Sequence, residues 1–362
     1  MNIRSLLLAI AMLPFALAPA QAADPLPGLY FAHGDWELAC DNTGTCRAAG
    51  YQAEQDKQAI SVLLTRKAGA GQQVSGELLL GQIDSAAQRQ APLTLALQID
   101  GARAGAVVAG EAPATLSPQV VTALLGALPR TASIAWSGDS QRWQLSGAGA
   151  AAVLLKMDEF QGRVGTTGAL IKPGRRSEGV VPAATAAPRV NAVRWAASLP
   201  RDSERFAGPQ ASVLRDALRT TLLADADYCP DVLDASAQDA EPLSVWRLDA
   251  KRLLVSTRCY LGAYNIGYGF WVIERNGPFN PVLVTATGSE AESPAILADR
   301  KGRGVGDCRS SDTWTWDGSR FVHTASSTTG LCKMVAAGGA WDLPRIVTEV
   351  RSSAPAALSG RR

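Results

Sequence analysis

The chain has 362 residues, with 35 Lys and Arg against 33 Asp and Glu, a formal net charge of +2 and six cysteines. A nearly neutral balance excludes the basic field expected of a nucleic-acid-binding protein, and no nucleic-acid partner is implied. The length exceeds one ordinary hydrophobic core and predicts two domains.

Residues 1–22 read as a secretory signal peptide. Arg4 supplies the positive start, Leu6 to Ala18 the apolar stretch broken at Pro14, and Ala20-Gln21-Ala22 the small-x-small cleavage signature. That apolar run is shorter than the about 20 residues a membrane span needs, and no later run is longer without charge. The expected product begins at Ala23, carries no span, and works in the periplasm, with full secretion as the alternative.

Residues 23–171 predict an N-terminal β-rich domain. Short apolar runs bounded by Gly, Pro or Asp predict strands over 59–66, 74–80, 93–99 and 142–145. Ser117-Pro118, followed by Val120, Val121, Leu124, Leu125 and Leu128 at helical spacing, predicts a helix ending at Pro129. A second helix is expected from Ser146 to Gly162. Residues 172–192, rich in Pro and small residues without apolar periodicity, read as a linker. Residues 193–362 predict a C-terminal β-rich domain that opens with an amphipathic helix over 209–225. Strands follow over 244–248, 252–259, 269–274, 282–287, 312–316 and 320–324, with an Asp-Gly hairpin turn at Asp317-Gly318. The fold class expected is α+β and β-rich: two domains of mainly antiparallel sheet with a few short helices, stapled by disulfides.

An exported chain keeps cysteines oxidised, so Cys40, Cys46, Cys229, Cys259, Cys308 and Cys332 are expected to form disulfides. Six cysteines admit many pairings; joining sequence neighbours gives Cys40–Cys46, Cys229–Cys259 and Cys308–Cys332, and the sequence does not choose. No C-x-x-C redox motif and no zinc-ligand spacing is present, so neither metal nor cofactor is expected.

Catalytic patterns are missing as well. Gly147-Ala148-Gly149 with Ala152 imitates a dinucleotide loop, but it closes a domain instead of opening a βαβ unit, and helix packing is the better reading. His33 and His323 are the two histidines; drawing His323 with Asp312 and a serine into a triad finds no nucleophile-elbow motif in support. The carboxylates Asp225, Asp227, Asp231, Asp234, Asp239 and Glu241 around Cys229 lack calcium-loop spacing and read as a solvated loop, and Asp158-Glu159 as a helix-end acid pair.

Two groups remain as binding candidates. Tyr260, Tyr264, Tyr268, Trp271, Trp314 and Trp316, with Phe270 among them, read for the most part as the core of a β-domain, and those that are exposed could form an aromatic face for a glycan or a protein partner. Arg300, Lys301, Arg303 and Arg309 around Gly302, Gly304 and Gly306 could form an anion loop. The function favoured is a non-enzymatic binding or interaction module of the cell envelope, its partner an unidentified envelope protein or glycan. The alternatives are an envelope-polymer hydrolase using Asp307 and Asp312, or an inhibitor of such a hydrolase. Nothing in the sequence sets the oligomeric state.

Four segments, GDWELACDNTGTCRAAGY (34–51), LSGAGAAAVLLKMDEFQGRVGTTGALIKPG (145–174), GRGVGDCRSSDTWTWDGSRFVHT (302–324) and GAWDLPRIVTEV (339–350), together resemble the bacterial exported family known as domain of unknown function 1176. Trp36 with Cys40 and Cys46 is also similar to the start of invasion-associated locus B proteins. The first resemblance implies export and a two-domain build, and it carries over no catalytic residue.

Overall fold

The computed structural model describes residues 28–81, 92–223, 228–234 and 241–352. The expected signal peptide and the carboxylates Asp225, Asp227 and Asp239 lie outside the described residues. The first half runs β1 (Leu29–His33), β2 (Trp36–Cys40), β3 (Cys46–Tyr51), β4 (Ile60–Arg66), β5 (Val74–Leu80), β6 (Leu93–Ile99), β7 (Ala102–Ala109), β8 (Ala114–Thr115), α1 (Pro118–Ala127), β9 (Ile134–Gly138), β10 (Gln141–Leu145) and α2 (Ala150–Phe160). Two antiparallel sheets result, in the orders β1-β2-β3-β4-β5-β8 and β10-β9-β6-β7. One face of the larger sheet (Trp36, Leu38, Ile60, Val62, Leu64, Leu78) shares a core with Leu95, Leu97 and Trp136 of the smaller sheet and with the apolar sides of both helices.

The second half runs β11 (Arg189–Ala192), α3 (Pro200–Glu204), α4 (Pro209–Arg219), α5 (Pro230–Leu233), β12 (Ser244–Arg247), β13 (Arg252–Leu261), β14 (Ile266–Glu274), β15 (Val282–Gly288), β16 (Glu290–Glu292), β17 (Ala295–Lys301), β18 (Arg309–Trp316), β19 (Phe321–Thr328), β20 (Leu343–Ile346) and β21 (Glu349–Ser352). Strands β12 to β15 form one antiparallel sheet in chain order, β16 to β20 another, and β11 pairs β21 in parallel. The β12–β15 sheet is covered on both faces. Leu253, Val255, Trp271 and Ile273 meet Leu214 and Leu218 of α4, while Leu254 and Phe270 meet Ile296 and Trp316 of the last sheet. The fold is therefore β-rich α+β, as the strand patterns predict.

Residues 331–343 return to the outer face of the first sheet. Val335, Ala336, Trp341 and Leu343 bury against Ala39, Ala49, Tyr51, Leu63 and Leu79. The indole N–H of Trp341 donates to Ser61 Oγ at 2.7 Å, the Lys333 ammonium reaches Asp35 at 2.9 Å, and Asn42 exchanges two hydrogen bonds with the backbone of Val347 at 2.7 and 3.1 Å. Glu37 lies at the centre, fully buried, accepting the Tyr51 hydroxyl at 2.7 Å and the Leu331 N–H at 2.6 Å. Burial raises its pKa against the pull of those donors. The β2 segment WELAC is thus buried along its whole length, one face in each core, and the apolar/polar alternation of a one-sided strand is missing.

Three disulfides, Cys40–Cys46, Cys229–Cys259 and Cys308–Cys332, join sequence neighbours. The third ties the returning segment to the start of β18.

Candidate binding cleft

A polar recess is built by three separate stretches of the second half. Helix α3 starts at Pro200, with the Asp202 carboxylate accepting the Leu199 N–H at 3.2 Å. Asp202 is 4% exposed and carries two guanidiniums. Arg247 at the end of β12 is bidentate, with contacts of 3.0 and 3.2 Å, and Arg275 just after β14 adds one at 3.3 Å. Burial opposes the charge on Asp202, yet the Arg247 hydrogen bond, the Leu199 N–H and the charges of both arginines hold its pKa below the usual carboxylate value.

Around this anchored carboxylate opens a cleft of about 360 Å³ lined by Arg201, Asp202, Arg205, Leu253, Arg275 and Asn276. Arg205 lies over the rings of Phe206 and Phe279, its carbon 5.6 and 5.4 Å from their centroids. It also donates to Gln210 Oε1 at 2.7 Å and to the Arg275 carbonyl. Its guanidinium is therefore held in place. Among the described residues neither Arg201 nor Arg205 makes an ion pair. Three arginines thus line one recess, and the one carboxylate that lines it among the described residues is already shared by Arg247 and Arg275. Such an arrangement suits a carboxylate or phosphate, which planar guanidinium groups bind through paired hydrogen bonds. Leu253 supplies an apolar wall.

The sequence candidates fall elsewhere. Trp271 is fully buried, donating its indole N–H to Thr221 Oγ1 at 2.8 Å. Trp316 is buried too, against Phe321 and under the Arg252 guanidinium at 4.7 Å. Both are core residues, which corrects their place in the expected aromatic face. Along β14, side chains alternate, so Tyr268 and Phe270 point toward the last sheet and Trp271 toward α4. Tyr260 is half-buried 5.3 Å from the Tyr228 ring, Tyr264 is exposed on the β13–β14 turn, and Trp314 is half-buried, stacked on His323 at 4.8 Å. The six rings do not share one surface.

The four cations of the glycine-rich loop are separated as well. Arg303 clamps Asp307 with contacts of 2.7 and 2.5 Å, Arg309 binds Asp299 through two nitrogens, and Arg300 lies 3.5 Å from Asp312. Lys301 alone of the four makes no ion pair among the described residues. Arg300 and Arg309 sit on β17 and β18, where alternation sends them to opposite faces of the sheet. An anion loop of four free cations is therefore not formed.

Asp307 also accepts the Met334 N–H at 2.7 Å, and the Arg303 hydrogen bonds hold its pKa down. It is an ionised strut, a poor proton donor. Asp312 is nearly buried: burial opposes its charge, but hydrogen bonds with His323 (3.0 Å) and Ser326 and the nearby Arg300 charge keep its pKa low. Asp307, Cys308 and Cys332 cluster closely, but both sulfurs are spent in a disulfide and offer no thiolate to a metal. Asp158 and Glu159 diverge: Asp158 accepts the N–H groups of Leu170 and Ile171, while Glu159 pairs with Lys156. Asp231 and Glu241 share Arg258. Gly149, with φ of +94°, sits where an added Cβ would lie 1.7 Å from the His33 carbonyl oxygen. Close approach of α2 to the β1 end requires that glycine, and no dinucleotide need be invoked.

The arginine cleft escaped sequence analysis because its members are scattered: Asp202 meets partners 45 and 73 residues away. The one local trace is R-D-S-E-R after a proline, which reads equally as an exposed helix.

No solved structure matches the chain. It is 27% identical over 345 residues to the "Uncharacterized protein YpfG" of Escherichia coli (strain K12), covering 87% of this chain and 90% of that protein. With residues 30–348 matched by the profile described as "Protein of unknown function (DUF1176)", the chain belongs to that family.

Proposed function

We propose that this protein is an exported, non-enzymatic binding module of the bacterial cell envelope that captures an anionic ligand, bearing carboxylate or phosphate, in the cleft between α3 and the end of β14. The observation that carries this reading is that Arg201, Arg205 and Arg275 line a recess of about 360 Å³ whose one lining carboxylate among the described residues is already shared by two arginines. The described residues bring to that recess fixed charge and shape.

Export rests on residues 1–22 and on three disulfides, which persist in oxidising compartments. Among the described residues no helix is long and apolar enough to cross a membrane. Expression of the full chain in a bacterial host should deliver a periplasmic product that starts at Ala23, with no free thiols. A cytoplasmic product that keeps residues 1–22 would refute export. The binding half is tested by whether anion affinity survives removal of Arg201 and Arg205.

A further inference from the structure

A second surface, apart from the arginine cleft, combines apolar tips with one lysine that makes no ion pair among the described residues. The turn joining β13 to β14 carries Leu261, Tyr264 and Ile266 at 68%, 46% and 36% exposure, and the glycine-rich loop beside it carries Val305 at 62%. Leu261 and Ile266 are cross-strand partners. Asn265 locks the turn to the loop by donating to the Lys301 carbonyl at 2.9 Å and accepting the Lys301 N–H at 3.0 Å. The Tyr264 hydroxyl donates to the Gly302 carbonyl at 3.4 Å, and a Cβ on Gly304 would touch the Tyr264 ring at 3.8 Å. The loop is itself fixed by the Arg303–Asp307 clamp and the Cys308–Cys332 bridge. Four large apolar side chains are thus presented on a braced double tip, with Lys301 unpaired among the described residues beside them.

We infer that this double tip is a docking site for the surface of an anionic phospholipid bilayer. Leu261, Ile266 and Val305 would enter the boundary of the hydrocarbon, Tyr264 would lie at headgroup level, and Lys301 would meet lipid phosphate. Apolar insertion combined with basic contacts is how peripheral proteins hold an anionic membrane. A protein partner fits less well, since stable protein interfaces engage roughly 20–30 residues a side and two loop tips provide few.

The test uses the protein isolated from the periplasm of a bacterial host, and vesicles of equimolar phosphatidylethanolamine and phosphatidylglycerol. The wild type should co-sediment with them, and the double variant Leu261→Ser/Val305→Ser should partition about tenfold less, from the loss of two exposed aliphatic groups. Lys301→Gln should weaken binding roughly fivefold at low salt and little at high salt. All three positions are exposed, so unchanged thermal unfolding and intact disulfides should accompany these losses. Failure of the wild type to bind, or equal binding by the double variant, would overturn the inference. Failure on vesicles with anion binding intact would leave the arginine cleft standing.

Discussion

Asp202→Asn should destabilise the protein by about 3–5 kcal/mol, because it strands two guanidiniums beside a group that can no longer carry charge. Among the described residues Asp202 is the one carboxylate bonded to Arg247 and Arg275, and its second oxygen also receives the Leu199 N–H that starts α3. The Asp202 side chain is 3% exposed and those of Arg247 and Arg275 are 15% and 23% exposed, so solvent screens this arrangement only in part. The loss should depend on pH with a definite sign. The carboxyl pKa is lowered in the fold from its ordinary 3.8, so the folded state holds its proton less tightly than the unfolded state. Its stabilisation is therefore fully present above that value and disappears as pH falls through the folded pKa. Urea unfolding of wild type and variant should show a wide gap at neutral pH that narrows in strong acid. A neutral-pH difference below about 1 kcal/mol would mean that the arginines find other partners, and that the cleft is not anchored as described.

Arg163→Ala should cost a similar amount, about 3–5 kcal/mol, for a different reason. Arg163 is fully buried beyond the end of α2 and donates to Gln161 Oε1 at 3.0 Å, Glu178 Oε2 at 2.5 Å, and the carbonyls of Gly69 at 2.6 Å and Lys67 at 3.3 Å. Truncation leaves those acceptors without their donor and a cavity where the guanidinium lay. The 163–178 stretch, pinned by these bonds and by Thr166 donating to Glu178 at 2.7 Å, should lose its amide protection before the β-sheets do. Hydrogen exchange on the variant checks this, and uniform loss across both halves would contradict the local role given to Arg163.

Much of the fold is legible where one face of an element is wet. Strands β5 and β6 fall on the residues that their apolar runs mark, and α1 starts where Ser117 and Pro118 announce it. Helix α2 begins at Ala150, four residues later than expected, because Gly147 to Gly149 make the turn that brings α2 against the β1 end. Helix α4 stops at Arg219, short of the expected 225. Strands β1 to β3 were hidden: β2 and β3 are covered on both faces, so Glu37 and Tyr51 look like interruptions when they are the polar centre of a buried contact with residue 331. Strand β17 was obscured by its charges, since Asp299, Arg300 and Lys301 read as loop but alternate across a sheet edge.

The sites were less legible than the fold. In a one-dimensional string Trp271 and Trp316 suit a β-domain core or a ligand-stacking face alike, and the fold sends them into two separate cores. Local charge density misled in the same way, because Arg303 and Arg309 each spend themselves on one nearby carboxylate. Arg201 and Arg205 lie in the mixed-charge run R-D-S-E-R, which reads as an exposed helix, and the tertiary pairing of Asp202 is what brings Arg275 beside them.

Calorimetric titration of the periplasmic protein with phosphate, pyrophosphate, citrate and acidic peptidoglycan fragments tests the anion cleft most directly. At least one of them should bind saturably, and Arg201→Ala/Arg205→Ala should weaken it by about tenfold or more, the loss of two charge-assisted contacts, while the variant stays folded with its three disulfides intact. Absence of binding across the set, or affinity untouched in the double variant, would contradict the account.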